Sequence, residues 1–252
     1  MILSKITNSL RRNGRVETIK IIIKYPFTLW KRRNFKKLLV TMNTTEDKFT
    51  WIYRNNYWGI DESLSGPGST LEYTENLRKE LPKLITDFNI NSVLDAPCGD
   101  FNWMKVLLPT LNVNYIGADI VQDLVDSHNS NYKNEAIQFL KLNLITDSFP
   151  YADLLICRDC LFHLSYEDIQ SVLTNFANSK ISYLLTTTQK NNNNFQNKNI
   201  QTGDYRNIDL FLYPFNFPTN PLARIDDFLL PDQEREMCLF SREQILSIKK
   251  TL

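Results

Sequence analysis

Along this chain, short apolar runs bounded by turn residues alternate with stretches whose apolar positions recur every three or four residues. Val93 and Leu94 read as the end of a short strand covered on both faces. Further strands are predicted at Asn114–Ala118, Ile137–Leu142, Leu154–Cys157, Tyr183–Thr187 and Met237–Phe240. Helices are predicted between or after them, at Trp103–Leu108, Asp123–His128, Tyr166–Asn178 and Ser241–Ile248. Tyr166–Asn178 is the best marked of these, with Ile169, Val172, Leu173 and Phe176 on one face. Ser165 is its cap, and Glu167 and Asp168 occupy its first turn. Ahead of the first strand, Leu71–Phe88 has helical spacing with Thr70 or Ser69 as cap, and Pro82 is expected to kink or split it. Strand and helix in repeated alternation predict an α/β fold built on a doubly wound, mostly parallel sheet.

The junction after the first predicted strand organises the rest. In Ser92-Val93-Leu94-Asp95-Ala96-Pro97-Cys98-Gly99-Asp100-Phe101, Asp95 stands where the strand stops and Pro97 cannot continue a ladder. Gly99 permits a tight turn and a close backbone approach. Such a strand–turn–helix junction places a ligand at the carboxyl end of a parallel sheet. One glycine flanked by Asp95 and Asp100 is a poor cradle for phosphate and a better one for a cation.

The run VLDAPCGDFNWM resembles motif I of the class I S-adenosylmethionine (SAM)-dependent methyltransferases, with Phe101 near the place of the family's second glycine. The alternation over roughly 60–240 agrees with their Rossmann-like sheet. This resemblance implies that SAM is the cofactor and that Asp95, Pro97, Cys98 and Gly99 lie against it. Asp119 ends the second strand about 20 residues after the glycine turn, where a carboxylate accepts ribose hydroxyls; Ile120 follows it. Asn143, with Leu144, falls where family members often have an Asp for the adenine amino group, and it keeps an acceptor oxygen without the charge.

The run ADLLICRDCLFHLS resembles motif IV, and looks closer still to a subset of the family linked to bacterial surface-glycan loci. Arg158, Asp159 and His163 are thereby expected at a strand end over the sulfonium. An alcohol acceptor needs a general base. His163 is one of two histidines and suits that role, with Asp159 as rival base or as its orienting partner. His128, in a polar stretch, reads as a surface residue. Thr186, Thr187 and Thr188 are expected to point hydroxyls at the same rim. Asp204, Tyr205 and Arg206 are the candidate acceptor-binding residues, and Tyr213, Phe215 and Phe217 belong either to a sugar-binding wall or to the core. Asp159 could ligate Mg²⁺, but no three carboxylates converge in the sequence, so no metal requirement is expected.

Charge and cysteines refine this picture. Residues 1–40 carry 11 Lys/Arg and one acid, Glu17, for a net charge of +10, which leaves −9 on the remainder. This predicts a basic N-terminal extension over 1–45 and a methyltransferase domain over 46–252. The arm either lies on an anionic membrane surface or packs as a basic helix on the acidic body. Nothing suggests a nucleic-acid partner, and the arm's apolar run from Ile19 to Trp30 is interrupted by Lys20, Lys24 and Pro26, too short to span a bilayer. Cys98, Cys157, Cys160 and Cys238 form no disulfide framework or zinc set, which fits reduced thiols in a cytoplasmic protein. Residues 49–70 combine aromatic, hydroxyl and glycine residues and form either a lid or a simple connection; residues 191–199 read as an Asn-rich loop. The reading is a SAM-dependent methyltransferase acting on a sugar hydroxyl of a surface-glycan precursor, at or near the inner face of the membrane. Its rivals are a methyltransferase of a small metabolite, lipid or protein side chain, and a non-catalytic binding protein of the same fold.

Overall fold

The computed structural model describes residue 26 and residues 29–191, 194–230 and 232–248. The chain forms two compact units, Met1–Asn43 and Thr44–Leu252. In the first, residues 29–41 form helix α1, which exposes Leu29, Trp30 and Val40. The rest of the predicted arm, apart from residue 26, lies outside the described residues. Among the described residues no helix is long and apolar enough to cross a membrane.

The second unit opens with α2 (Thr45–Arg54), where Thr44 and Asp47 form a reciprocal capping box. It is built on a seven-stranded sheet of β1 (Ser92–Asp95), β2 (Asn114–Asp119), β3 (Ile137–Lys141), β4 (Leu154–Cys157), β5 (Tyr183–Gln189), β6 (Ala223–Asp226) and β7 (Arg235–Ser241). The spatial order is β3-β2-β1-β4-β5-β7-β6. Strands β1 to β5 pair in parallel, and β7 runs antiparallel to both β5 and β6. Each predicted strand is present. The sequence reading missed β6, a short edge strand whose Arg224 and Asp226 point to solvent and give no apolar run.

Alternation along the strands divides the core between the two faces of the sheet. Leu94, Leu155, Leu184 and Phe240 face α6 (Tyr166–Asn178) and α7 (Arg242–Ile248), where Ile169, Val172 and Phe176 close the layer. Val93, Leu154, Ile156 and Leu239 face α3 (Glu75–Asp87) and α4 (Met104–Leu107). α3 runs through Pro82 undivided, so the expected split does not occur. Leu77, Leu81, Leu84 and Ile85 anchor it to the sheet, and four buried side chains outweigh the roughly 3 kcal/mol that an interior proline costs. It begins later than expected, because Thr70 caps a separate turn, accepting from Tyr73 N at 3.1 Å.

α5 (Gln122–Tyr132) overturns the reading of His128. That side chain is 4% exposed on the helix face shared with Leu124 and Val125, and its Nε2 lies 2.8 Å from Gly99 O. The imidazole therefore buttresses the glycine turn from behind. Phe101, also in that turn, adopts φ +59°, a left-handed backbone taken here by a residue other than glycine. Its ring is 2% exposed and packs against Tyr132 and Phe139, with centroids 5.2 and 5.1 Å away.

The Phe101→Gly variant separates backbone preference from packing. Relief of the left-handed backbone is worth about 1–2 kcal/mol, whereas removing a buried phenyl ring costs about 3–5 kcal/mol. Denaturant unfolding should show a net loss of about 2–3 kcal/mol. A gain in stability would mean that the ring contributes nothing to the turn.

Candidate active site

Strand β1 pairs with β2 on one side and β4 on the other, so the chain's path reverses between β1 and β4. The crevice at such a switch point, beyond the carboxyl ends of the strands, is left uncovered by the crossover helices. A cavity of about 360 Å³ opens there, within the size range of small-molecule sites. Asp95, Pro97, Cys98, Gly99, Asp119, Ile120, Asn143, Leu144, Arg158, Asp159, His163 and Tyr205, all singled out in the sequence, line it.

At the β1 and β2 ends, two carboxylates are buried. Asp95 accepts from the Tyr115 hydroxyl at 2.7 Å. Burial pushes its pKa up to about 7, against the pull of that hydrogen bond and of the Arg158 charge. Asp119 accepts from Gly99 N and Val121 N, both at 3.0 Å, so the β2 carboxylate itself holds the glycine turn. Burial raises its pKa too, while the two backbone donors oppose the rise. Asn143 Oδ1 accepts from Ile145 N at 3.0 Å, an Asx-type turn that fixes its amide at the cavity wall.

Within the 49–70 stretch, residues 60–69 fold onto the turn. Asp100 accepts from Ser63 Oγ at 2.8 Å and Leu64 N at 2.7 Å, and Asp100 N donates to Ser65 Oγ at 3.0 Å. A Cβ on Gly99, at φ +54°, would meet Ser65 Oγ at 2.3 Å, so only glycine admits this closure. Asp100 is thus committed to the covering loop and not to a cation in the turn.

At the β4 end, four charged side chains interlock. Arg158 donates to both oxygens of Asp227, from Nε at 3.0 Å and Nη2 at 2.9 Å, and to Gly68 O at 2.7 Å. Arg235 Nη1 lies 2.9 Å from Asp159 Oδ1, and its Nη2 3.3 Å from Asp227 Oδ2. Arg158 therefore lines the cavity while its donors serve protein partners. Burial would raise the Asp159 pKa, but the Arg158 and Arg235 guanidinium groups outweigh it and hold the carboxyl below its ordinary range. Asp159 sits at φ +52° and donates its backbone N–H to Thr187 Oγ1 at 2.9 Å. No local signal marks Arg235 and Asp227, which reach Asp159 and Arg158 from nearly 70 or more residues away.

His163 completes the rim on a 3₁₀ turn, Leu161–His163. Its Nδ1 is 2.8 Å from Asp204 O, and a carbonyl only accepts, so Nδ1 carries the hydrogen and Nε2 the lone pair. Trp58, from the covering segment, stacks on the ring with centroids 4.2 Å apart and planes 23° apart. Removal from solvent lowers the His163 pKa to about 4, which keeps the imidazole neutral at pH 7.

Several expected residues lie elsewhere. Of Asp204, Tyr205 and Arg206, only Tyr205 reaches the cavity; the other two are buried. Thr186, Thr187 and Thr188 are also buried, bonded to Cys157 O, to Asp159 and to Leu210 N. Phe215 and Phe217 belong to the core, and Tyr213 is exposed. Phe49, Ile52 and Tyr53, from the 49–70 stretch read as lid or connection, lie on α2 and supply an apolar cavity wall. Among the described residues no three His, Cys, Asp or Glu side chains converge as a metal site requires.

Asp95 and His163 should tilt stability in opposite directions with pH. Asp95 is protonated up to about pH 7 in the fold but only to about 4 when unfolded, so its contribution is full below pH 4 and is lost as pH rises towards 7. His163 is neutral in the fold down to about pH 4 but titrates near 6.5 when unfolded, so its contribution is lost as pH falls below 6.5. Between pH 4.5 and 6.5, Asp95→Asn should make stability rise more steeply with pH than wild type, by about 1.4 kcal/mol per unit. His163→Gln should change the slope by a similar amount with the opposite sign. Urea unfolding across that range checks both, and unchanged slopes would refute the assignments.

No protein-family model matches the sequence, and no curated protein matches it. Solved structures do. A Leishmania major SAM-dependent methyltransferase superposes with a TM-score of 0.56 at 14% identity, over 79% of this chain and 87% of that one. Magnesium protoporphyrin IX methyltransferase from Synechocystis, solved with bound S-adenosylhomocysteine, gives 0.52 at 14% identity over 85% and 99%. The N-methyltransferase NodS from Bradyrhizobium japonicum gives 0.51 at 10% identity over 68% and 96%. The second unit of this chain, with its switch-point crevice, has the Rossmann-like fold of the SAM-dependent methyltransferases.

Proposed function

We propose that this chain is a SAM-dependent methyltransferase acting on a hydroxyl acceptor, with His163 as the general base. The observation that carries the reading is the meeting of three features in one crevice: buried carboxylates at the ends of β1 and β2, a glycine turn held by one of them, and a neutral imidazole at the end of β4. The residues present fit the donor. Asp95, whose pKa burial lifts to about 7 against the pull of the Arg158 charge, suits a ligand bearing cationic groups. Asp119 has lone pairs left for ribose hydroxyls, and Leu142, Leu144 and Ile145 offer an apolar wall for a flat base. When bound, SAM supplies an electrophilic methyl group on a sulfonium.

The chain's own residues do the rest. His163 accepts the acceptor's proton at Nε2, because Nδ1–H is tied to Asp204 O. Asp159 is the weaker rival for that role. Its negative charge is balanced by Arg158 and Arg235, and a carboxylate so stabilised gives up its basicity. It orients the rim instead. The covering loop, pinned through Asp100, keeps water from the reacting centre. The acceptor as a sugar hydroxyl of a surface-glycan precursor rests on the resemblance of the CRDCLFHL run, to which the aromatic wall of Tyr53, Trp58 and Tyr205 adds stacking faces for C–H groups.

Calorimetry with SAM should give micromolar binding to the wild type, and binding weakened about 10- to 100-fold in Asp119→Ala, the value of a charge-assisted hydrogen bond. With a turned-over acceptor, His163→Ala should lose about 10²–10⁴ in kcat while SAM affinity changes little. Absence of SAM binding by the folded wild-type protein would remove the reading. Full turnover by His163→Ala would remove the base.

A further inference from the structure

The sequence places Arg206 at the acceptor, yet the structure buries it to 7% exposure, away from the cavity lining. A buried guanidinium is costly, because a charge leaves water. Arg206 Nε and Nη2 have no hydrogen-bond partner among the described residues, so Nη1 is its hydrogen-bonding arm. That arm donates to Leu164 O at 2.6 Å and to Phe162 O at 3.3 Å, the carbonyls on either side of His163. Arg206 N also donates to Phe162 O at 3.2 Å, and Gly203 N donates to His163 O at 2.8 Å. Ser165 N donates to Thr202 Oγ1 at 2.9 Å. The carbonyls of three consecutive residues, 162–164, and the next amide are thus held by residues 202–206. The same segment provides Asp204 O, the acceptor for His163 Nδ1. The guanidinium lies over the Tyr166 ring, with Cζ 5.5 Å from its centroid.

From this we infer that Arg206 is a positioning residue for His163, clamping residues 202–206 onto its turn so that Nδ1 keeps the hydrogen and Nε2 is left as the cavity-side base. The inference rests on the reading of His163 as base. It explains why a cation sits there at all: one guanidinium nitrogen can bind two carbonyls at once from inside the fold, which no apolar residue of that volume can do. Trp58 fixes the plane of the ring by stacking, and the carbonyl of Asp204 fixes its rotation within that plane. The charged groups facing the imidazole are Asp159, Arg206 and Asp204.

The test is ¹⁵N NMR of the imidazoles in the full chain, which has only two histidines, with His163→Gln assigning the signals. The wild type should show His163 as the Nδ1–H tautomer. Arg206→Met should give a tautomer mixture and a His163 pKa raised by at least one unit from about 4, with SAM affinity within about twofold of wild type. Arg206→Lys, which keeps one donor on Leu164 O, should lie between the two and serves if the Met variant does not fold. A folded Arg206→Met or Arg206→Lys protein with the wild-type tautomer and pKa would overturn the inference, as would a wild-type His163 already in the Nε2–H form. The tautomer is read without acceptor or turnover, so failure here is distinct from failure of the base, which the turnover of His163→Ala decides.

Discussion

Strand β1 must pair in parallel on both sides, and parallel pairs require crossovers that leave the sheet and return to it. Because β2 and β4 lie on opposite sides of β1, the crossovers diverge and the carboxyl end of β1 is left open. Each part of the site follows from that opening. Asp95 is the last residue of β1 and Asp119 the last of β2, while Arg158 follows the last residue of β4. The helices close the two faces of the sheet with Leu, Ile and Phe, and this leaves the polar chemistry one place to gather.

The opening is then divided by charge. Towards β2 the buried Asp95 and Asp119 lack a guanidinium of their own, and burial lifts both pKa values. Towards β5 and β7, two arginines and two aspartates neutralise one another. Those four groups tie the β4 end, the 226–227 corner and the covering loop at Gly68 together, and a Cβ on Gly68 would come within 2.8 Å of Asp159 Oδ2. Under the proposed function, the first end takes the cationic donor and the second, whose charges are already balanced, takes an uncharged acceptor. Between them stands His163, neutral because it is withdrawn from water and oriented because its turn is clamped.

The crevice at the ends of β1 and β2 was legible in the sequence because its signals are local. A carboxylate at a strand end, one glycine and a second carboxylate about 20 residues on can be read by counting. The strand runs were legible for the same reason. What escaped was long-range or depended on which face a residue took. His128 lies three and four residues beyond Val125 and Leu124, a spacing that marks a buried face, but the polar residues around it masked the pattern. Arg206 and Asp204 looked like acceptor ligands because charge near a rim suggests binding, whereas burial turned one to clamp carbonyls and used the other's carbonyl. The threonines of β5 were spent on neighbouring backbone. Asp227 and Arg235 could not be paired with Arg158 and Asp159 without the sheet order, which brings β7 beside β5.

The proposed function requires the ends of β1 and β2 to hold an adenosyl group with its sulfur turned towards His163. A crystal structure of the full chain with S-adenosylhomocysteine measures this directly. The expected result is ribose hydroxyls on the Asp119 carboxylate, the amino group on the Asp95 side, and the sulfur facing the His163 rim beneath residues 60–69. A ligand bound elsewhere, or one in the crevice that leaves Asp119 untouched, would contradict it.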